Sequence, residues 1–361
     1  MYNQYSPDTT DDMIKPVGFT RVEYIFRTAW QQNTMCHAWA LSGKKGIGKS
    51  TFARYIAGCI ISGGMSDTSY TPTSMEFHNN THPTFIYVHP NTDTQKKIIG
   101  VDQIRDLQHF FYLSAPDKQW KVAIIDSVDE MNSASGNCML KILEEPPPFS
   151  VLIIINHNFH RFPVTLKSRC VQVKIPPLCM SDTLKAVNSV KCIPDNDTLL
   201  AFHMLGGSPG EIIKFCSMNG SLIVSHIAAL LLEATKAPSY RICRSKLTVF
   251  MHELPSLDNH DNFAMYGKII SLIAYRISLA SSGDTTHNNQ KDTDSIILQV
   301  INSHCFYSLK NANLWAQISV DISNKFTTAL SLNLGRYQCM MESILLFEDT
   351  MLYIHRNGKT C

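Results

Sequence analysis

The chain has 361 residues, 44% of them hydrophobic and 17% charged, with a formal net charge of +2 at pH 7. A charged fraction below the usual quarter excludes a disordered or solvating protein, and the length exceeds one ordinary core, so two or three domains are expected. Near-balanced charge excludes a strongly basic nucleic-acid binder while leaving room for a local basic face.

Up to Asn156 short apolar runs alternate with helical patterns, the signature of βαβ units and a parallel sheet covered by helices. The candidate strands are 38–41, 85–88, 122–125, 151–155 and 171–175, several of them continuous apolar runs suited to a sheet buried on both faces. Between them Val101, Ile104, Leu107 and Phe111 recur at helical spacing, and residues 135–145 form a helix stopped by Pro146–Pro148. Residues 63–83, rich in Ser, Thr, Asn and Gly, read as an inserted surface loop. After Pro176 and Pro177 the pattern turns helical at 182–190, 198–205, 209–218 and 222–235. Beyond Pro238 further helices are expected, interrupted by the polar stretch 281–294. Tyr266, Ile270, Ile273 and Ile277 share one helical face, which is either core or an inter-subunit surface. No internal repeat is visible.

The eleven cysteines include no C-x-x-C pair, and their odd number gives no complete disulfide framework, so they read as reduced core thiols. Met1–Pro16 is acidic and polar where a signal peptide needs a basic start and an apolar run, and the apolar runs fall short of the roughly twenty residues that span a bilayer. A cytoplasmic location is expected.

Gly43, Lys44, Lys45, Gly46, Ile47, Gly48, Lys49 and Ser50 satisfy G-x-x-x-x-G-K-[ST] at every fixed position, between a predicted strand and a predicted helix that runs on from Thr51. The glycines let the backbone wrap so that its amides face phosphate oxygens, and Lys49 supplies a point charge to the outer phosphates. Ser50 is suited to ligate magnesium, and the helix from Thr51 adds its positive end. The cofactor this predicts is ATP or ADP with Mg2+; the plainer alternative is a glycine turn that happens to contain lysine. Such a site also needs an acid at the end of a second strand, and Asp126 follows 122–125 in that way, completing the magnesium pair with Ser50. An aspartate there can equally be a simple cap. The next residue is Ser127, whose hydroxyl cannot serve as a general base at neutral pH as a carboxylate can. Using Asp129 and Glu130 instead would bury Asp126 and Ser127 inside the strand, so the base reads as missing.

Three short stretches, His37-Ala38-Trp39, the run from Asn137 through Leu143-Glu144-Glu145-Pro146-Pro147, and Ser168-Arg169-Cys170, together resemble the clamp-loader branch of the AAA+ proteins. In that family a leucine-rich helix ending Leu-Glu-Glu-Pro-Pro follows the Walker B acid and Ser-Arg-Cys follows the sensor 1 strand, the order found here. The resemblance covers residues 18–175. It implies an α/β fold: an AAA+ P-loop NTPase module with a parallel five-stranded sheet and flanking helices at 1–178, a small helical lid at 179–236, and an all-α collar domain at 237–361.

It also implies roles. Arg169 would be an arginine finger reaching a neighbour's ATP, as against a surface arginine paired to an acid. Asn156 would be sensor 1, as against a turn-starting asparagine before His157-Asn158. Hydrolytic members carry Glu where this chain has Ser127, and the motor subunit carries a sensor 2 arginine where Gly206-Gly207-Ser208-Pro209-Gly210-Glu211 places Gly210. Retaining the finger while losing base and sensor fits a largely static loader subunit, with weak or absent ATPase of its own, better than a motor. The four-cysteine zinc module of many relatives is replaced by Cys59 with His78 and His82, so no zinc is expected and Cys59 reads as a core thiol. Implied partners are motor (gamma/tau) and delta subunits and, through the complex, the sliding clamp and primed DNA without sequence specificity; no membrane is implied. The rivals are the motor itself, a P-loop kinase, and a structural subunit whose P-loop holds nothing.

Overall fold

The computed structural model describes residues 16–63, 82–90, 98–113, 119–158, 162–190, 195–236, 241–254, 257–282 and 308–358. The expected loops at 63–83 and 281–294 lie almost wholly outside them. The chain divides into two compact units: Met1–Cys192 together with Gly206–Glu211, and Ile193–Leu205 together with Ile212–Cys361.

The first unit is built on β1 (Ala38–Ser42), β2 (Phe85–Val88), β3 (Lys121–Ile125), β4 (Ser150–Asn156) and β5 (Val171–Lys174). All neighbours pair in parallel, in the order β2-β3-β4-β1-β5. The apolar runs are continuous because both faces are covered. Val151, Ile153 and Ile155 of β4 join Trp39, Leu41, Val122 and Ile124 on one face, while Leu152 and Ile154 join Ala38, Ala40, Ala123 and Ile125 on the other. Each buried Val, Leu or Ile among them stabilises the sheet by roughly 1.5–3 kcal/mol relative to exposure.

Helices α1 (Thr20–Gln31) and α2 (Lys49–Ile61) cover the first face. Phe19 stacks on Phe52 at 4.7 Å, and Phe26 lies 4.2 Å from Trp39 between ring centroids. Helices α3 (Val101–Tyr112) and α4 (Ser133–Glu144) cover the second through Ile104, Leu107, Phe111, Met139, Ile142 and Leu143. Helix α4 starts two residues ahead of the sequence expectation because Asn132 caps it, its Oδ1 accepting from the Ser135 amide at 2.8 Å. At the sheet's N-terminal margin Trp30, Trp120 and Phe149 form a ladder with centroid separations of 5.4 and 5.6 Å. The short α5 (Val164–Lys167) and α6 (Met180–Val190) complete the unit.

The second unit is helical, with α7 (Asp195–Leu205), most of α8 (Pro209–Ser217), α9 (Gly220–Lys236), α10 (Arg244–Glu253), α11 (His260–Ser281), α12 (Leu309–Leu332) and α13 (Arg336–Gly358). Tyr266, Ile270, Ile273 and Ile277 are all buried, which settles their face as core. They lie on α11, the one described helix long and apolar enough by itself to cross a membrane. Helices α11 and α12 meet at Gly267, where a Cβ would lie 2.3 Å from Phe326 Cγ. Ser278 Oγ donates to the Ala312 carbonyl at 2.7 Å, and Ser319 Oγ donates to that of Ser271 at 2.8 Å. Trp315 of α12 packs on Phe347 of α13, 5.6 Å between centroids. The buried Glu348 carboxylate accepts from Arg244 at 3.0 Å and from the Ile242 amide at 2.9 Å, tying the start of α10 to α13.

The cysteine expectation needs correction. Of the described cysteines, Cys36, Cys179 and Cys243 are exposed, because they fall in connections rather than on apolar faces. Cys59 is half-buried against the α2 core as expected.

Candidate nucleotide-binding site

Strand order sets the site. Because β4 lies between β1 and β3, the residues at their C-terminal ends (Gly43, Asn156 and Asp126) stand side by side along one edge of the sheet. Ser42 is in register with Asn156, and the Gly43 amide donates to the Asn156 carbonyl at 3.2 Å. Ligands of open α/β sheets bind outside such an edge.

The loop from Gly43 to Gly48 turns through two left-handed glycines, Gly46 at φ 80° and Gly48 at φ 102°. Four successive carbonyls are pinned by protein donors. Lys49 Nζ donates to Gly43 and Lys44 at 2.6 and 2.8 Å, Ser208 Oγ to Lys45 at 2.6 Å, and the Gly210 amide to Gly46 at 2.8 Å. With those carbonyls held by protein donors, the amides of the loop are the groups suited to face phosphate oxygens. That is the polarity a polyphosphate requires. Thr51 lies in the first turn of α2, whose N-terminus opens directly off Gly48. Lys49 is almost fully buried, and burial brings its pKa down to about 8. A buried ammonium resting on carbonyl oxygens is ready to exchange them for phosphate oxygens.

Gly210 packs on the loop itself, where a Cβ would lie 3.1 Å from the Gly46 carbonyl oxygen. The segment expected to lack a sensor 2 arginine thus acts as a brace under the P-loop. Glu211 faces Lys44 at 3.7 Å.

Asp126 immediately follows β3, its amide donating to the Val88 carbonyl at 2.8 Å. Its Oδ2 accepts from the Tyr87 hydroxyl at 2.5 Å, and that hydroxyl also lies 2.9 Å from Ser50 Oγ. Burial, then the Asp126 charge, pushes the Tyr87 phenol up to about 12, so it keeps its proton. The two residues expected to hold magnesium are therefore bridged by a phenol. Ser127 adopts a left-handed conformation, φ 64°, and its Oγ lies 2.9 Å from His157 Nε2. His157 Nε2 is 3.6 Å from Asp126 Oδ1. Burial, with the nearby Lys49 charge, brings the histidine down to about 4, so at neutral pH this is a dipolar contact and not an ion pair. Asp129 Oδ1 accepts from the His157 amide at 3.0 Å, which employs that carboxylate in fastening the turn to β4.

Asn156 carries both features weighed for it. Its Oδ1 accepts from the Asn158 amide at 3.1 Å, a turn contact, while its fully buried Nδ2 has no acceptor among the described residues. An unpaired buried amide donor costs stability unless something else accepts from it, and beside a P-loop it fits a phosphate oxygen. Tyr87 and His157 are the members that motif reading missed. The available signal for Tyr87 was its polar tip on the β2 face shared with Phe85, directed at the P-loop helix.

Arg169 is elsewhere. It precedes β5, whose Val171 is in register with Trp39, whereas the P-loop follows Ser42 in register with Lys174. At about 3.3 Å per residue the two stand at opposite edges of the sheet, roughly 15 Å apart. Arg169 Nη2 pairs with Glu144 Oε1 at 2.8 Å, and Nη1 donates to the Thr165 carbonyl at 3.0 Å, with the side chain still partly exposed. His37 Nε2 meets the Leu143 carbonyl at 3.2 Å. The three stretches that carried the resemblance thus converge at one place, where Cys36, His37, Ser168 and Arg169 line an open cleft.

Sheet order, braced P-loop and edge acid define an AAA+ P-loop module. Residues 20–179 match the family model described as DNA polymerase III, delta subunit. The chain is 28% identical over 222 residues to DNA polymerase III subunit delta' of Pseudomonas aeruginosa, covering 61% of this chain and 66% of that one. It is 32% identical over 149 residues to DNA polymerase III subunit gamma of Buchnera aphidicola from Schizaphis graminum, covering 40% of each. A gamma subunit-related protein of Thermotoga maritima superposes over 90% of this chain and 99% of its own, at 16% identity and a TM-score of 0.40. The matched segments span from two fifths to just under two thirds of those two curated relatives. Residues 20–179 are thus similar to the clamp-loader subunits of DNA polymerase III, and the likeness is to delta-prime as well as gamma chains.

Proposed function

We propose that this chain acts as the delta-prime subunit of a DNA polymerase III clamp loader, in the cytoplasm at the replisome, helping to load the sliding clamp onto primed DNA. It binds ATP or ADP at residues 43–50 as a structural ligand, hydrolyses it poorly, and presents Arg169 to ATP held by a neighbouring gamma/tau motor subunit. Duplex DNA is gripped by the whole assembly through backbone phosphates, without base readout. The observation that carries this reading is the separation of Arg169 from its own P-loop by the full height of the sheet. A guanidinium so placed is out of reach of its own P-loop, which supports a role toward a site on another chain. Support for a passive own site comes from Ser127, whose hydroxyl faces His157 where hydrolytic relatives carry a carboxylate.

The test is ATP turnover by a reconstituted motor, delta and delta-prime assembly with clamp and primed DNA. Arg169→Ala should remove the turnover of the neighbour's site, which a trans finger accelerates by roughly 10³ or more. Lys49→Ala should leave turnover close to wild type. A loss confined to Lys49→Ala would make this chain a motor instead.

A further inference from the structure

The bridge between Ser50 and Asp126 bears on which ion the site accepts, and its meaning rests on reading residues 43–50 as a nucleotide site. Magnesium holds its oxygen ligands at about 2.0–2.1 Å in near-octahedral geometry. Here the space between the two expected ligands is spanned by a protein oxygen, the Tyr87 hydroxyl, 2.9 Å from Ser50 Oγ and 2.5 Å from Asp126 Oδ2. The other Asp126 oxygen lies 3.5 Å from Ser127 Oγ and 3.6 Å from His157 Nε2.

The phenol is held in place. Tyr87 packs beside Phe85 on the α2 face of the sheet, and the Arg54 guanidinium lies over its ring, 4.2 Å from the centroid. Swinging the ring away would break two hydrogen bonds, one of them to a carboxylate, and a cation–π contact. Positive charge at the site is already supplied by Lys49 and, one turn along α2, by Arg54. The magnesium expected from sequence therefore does not fit this arrangement, whereas a polyphosphate does.

We infer that the P-loop takes its nucleotide without a divalent cation, with the Tyr87 hydroxyl as the fixed link between Ser50 and Asp126 that a metal provides elsewhere. Such a site retains nucleotide irrespective of free magnesium, as a structural ligand requires.

Binding of fluorescently labelled ADP to the full chain, in EDTA and in excess magnesium, tests this. Wild-type affinity should agree within about twofold between the two conditions. Tyr87→Phe, which keeps the ring under Arg54 and removes only the bridging oxygen, should bind at least tenfold more tightly with magnesium than without. Wild-type binding tightened tenfold by magnesium would overturn the inference while leaving the P-loop reading intact. So would a Tyr87→Phe variant as indifferent to magnesium as wild type. Absence of binding in both conditions, or binding that survives Lys49→Ala, would overturn the P-loop reading and the inference with it.

Discussion

A Cβ at Gly207 would lie 1.8 Å from the carbonyl oxygen of Leu178, and no side-chain rotation relieves a clash with backbone. At Gly206 the obstacle is different: the space is open to 3.7 Å, but φ is +74°. Gly207→Ala should therefore cost more than about 3 kcal/mol, and Gly206→Ala only about 1 kcal/mol, in the urea unfolding of the first unit. The cysteines offer a second contrast. The exposed Cys243 sits at the N-terminus of α10, where the Ser245 hydroxyl and neighbouring amides lower its pKa, while burial pushes Cys170 up to about 12. The thiolate is the reactive form, so iodoacetamide at pH 7.5 should label Cys243 and spare Cys170 until the protein unfolds, as read by mass spectrometry. Residue types and spacing made Lys49, Ser50 and Asp126 legible in the sequence. They did not reveal Tyr87 or His157, since those contacts join residues 30 to 39 positions apart across strand ends.

Among elements, the strands were the most legible. Two-sided burial leaves unbroken apolar runs, and each of the five strands lies within a residue or two of where its run predicts. Helix α1 was not singled out, because its buried set, Val22, Glu23 and Phe26, includes a carboxylate that Arg27 neutralises at 2.9 Å. Nor could helical periodicity show which helices touch. The approach of α11 to α12 depends on the missing side chain of Gly267. Gly267→Leu should push the two helices apart and destabilise the second unit by about 2–4 kcal/mol despite its better helix propensity. Chemical unfolding would measure the loss, and Phe326→Ala in the same chain should recover part of it.

At the scale of the molecule, resemblance and site both fall in the first unit, and the second was legible only as helices because amphipathic patterns carry no partner information. Thermodynamics should show the same division. All the P-loop residues belong to the first unit, so nucleotide at 100 times its Kd should stabilise that unit by about 2.7 kcal/mol. In calorimetry the transition of the first unit should move with nucleotide concentration and that of the second should not; a shift of the second alone would put the ligand elsewhere. The indole side chains allow an optical version of the same experiment. Of the four tryptophans, Trp30, Trp39 and Trp120 lie in the first unit and Trp315 in the second. Trp30 and Trp120, 5.4 Å apart between centroids, are close enough for their excited states to couple and give circular dichroism a signature that no isolated indole has. Trp315→Phe would leave indole emission that comes from the first unit alone, so the variant reports that half of the chain and its difference from the wild type reports the other.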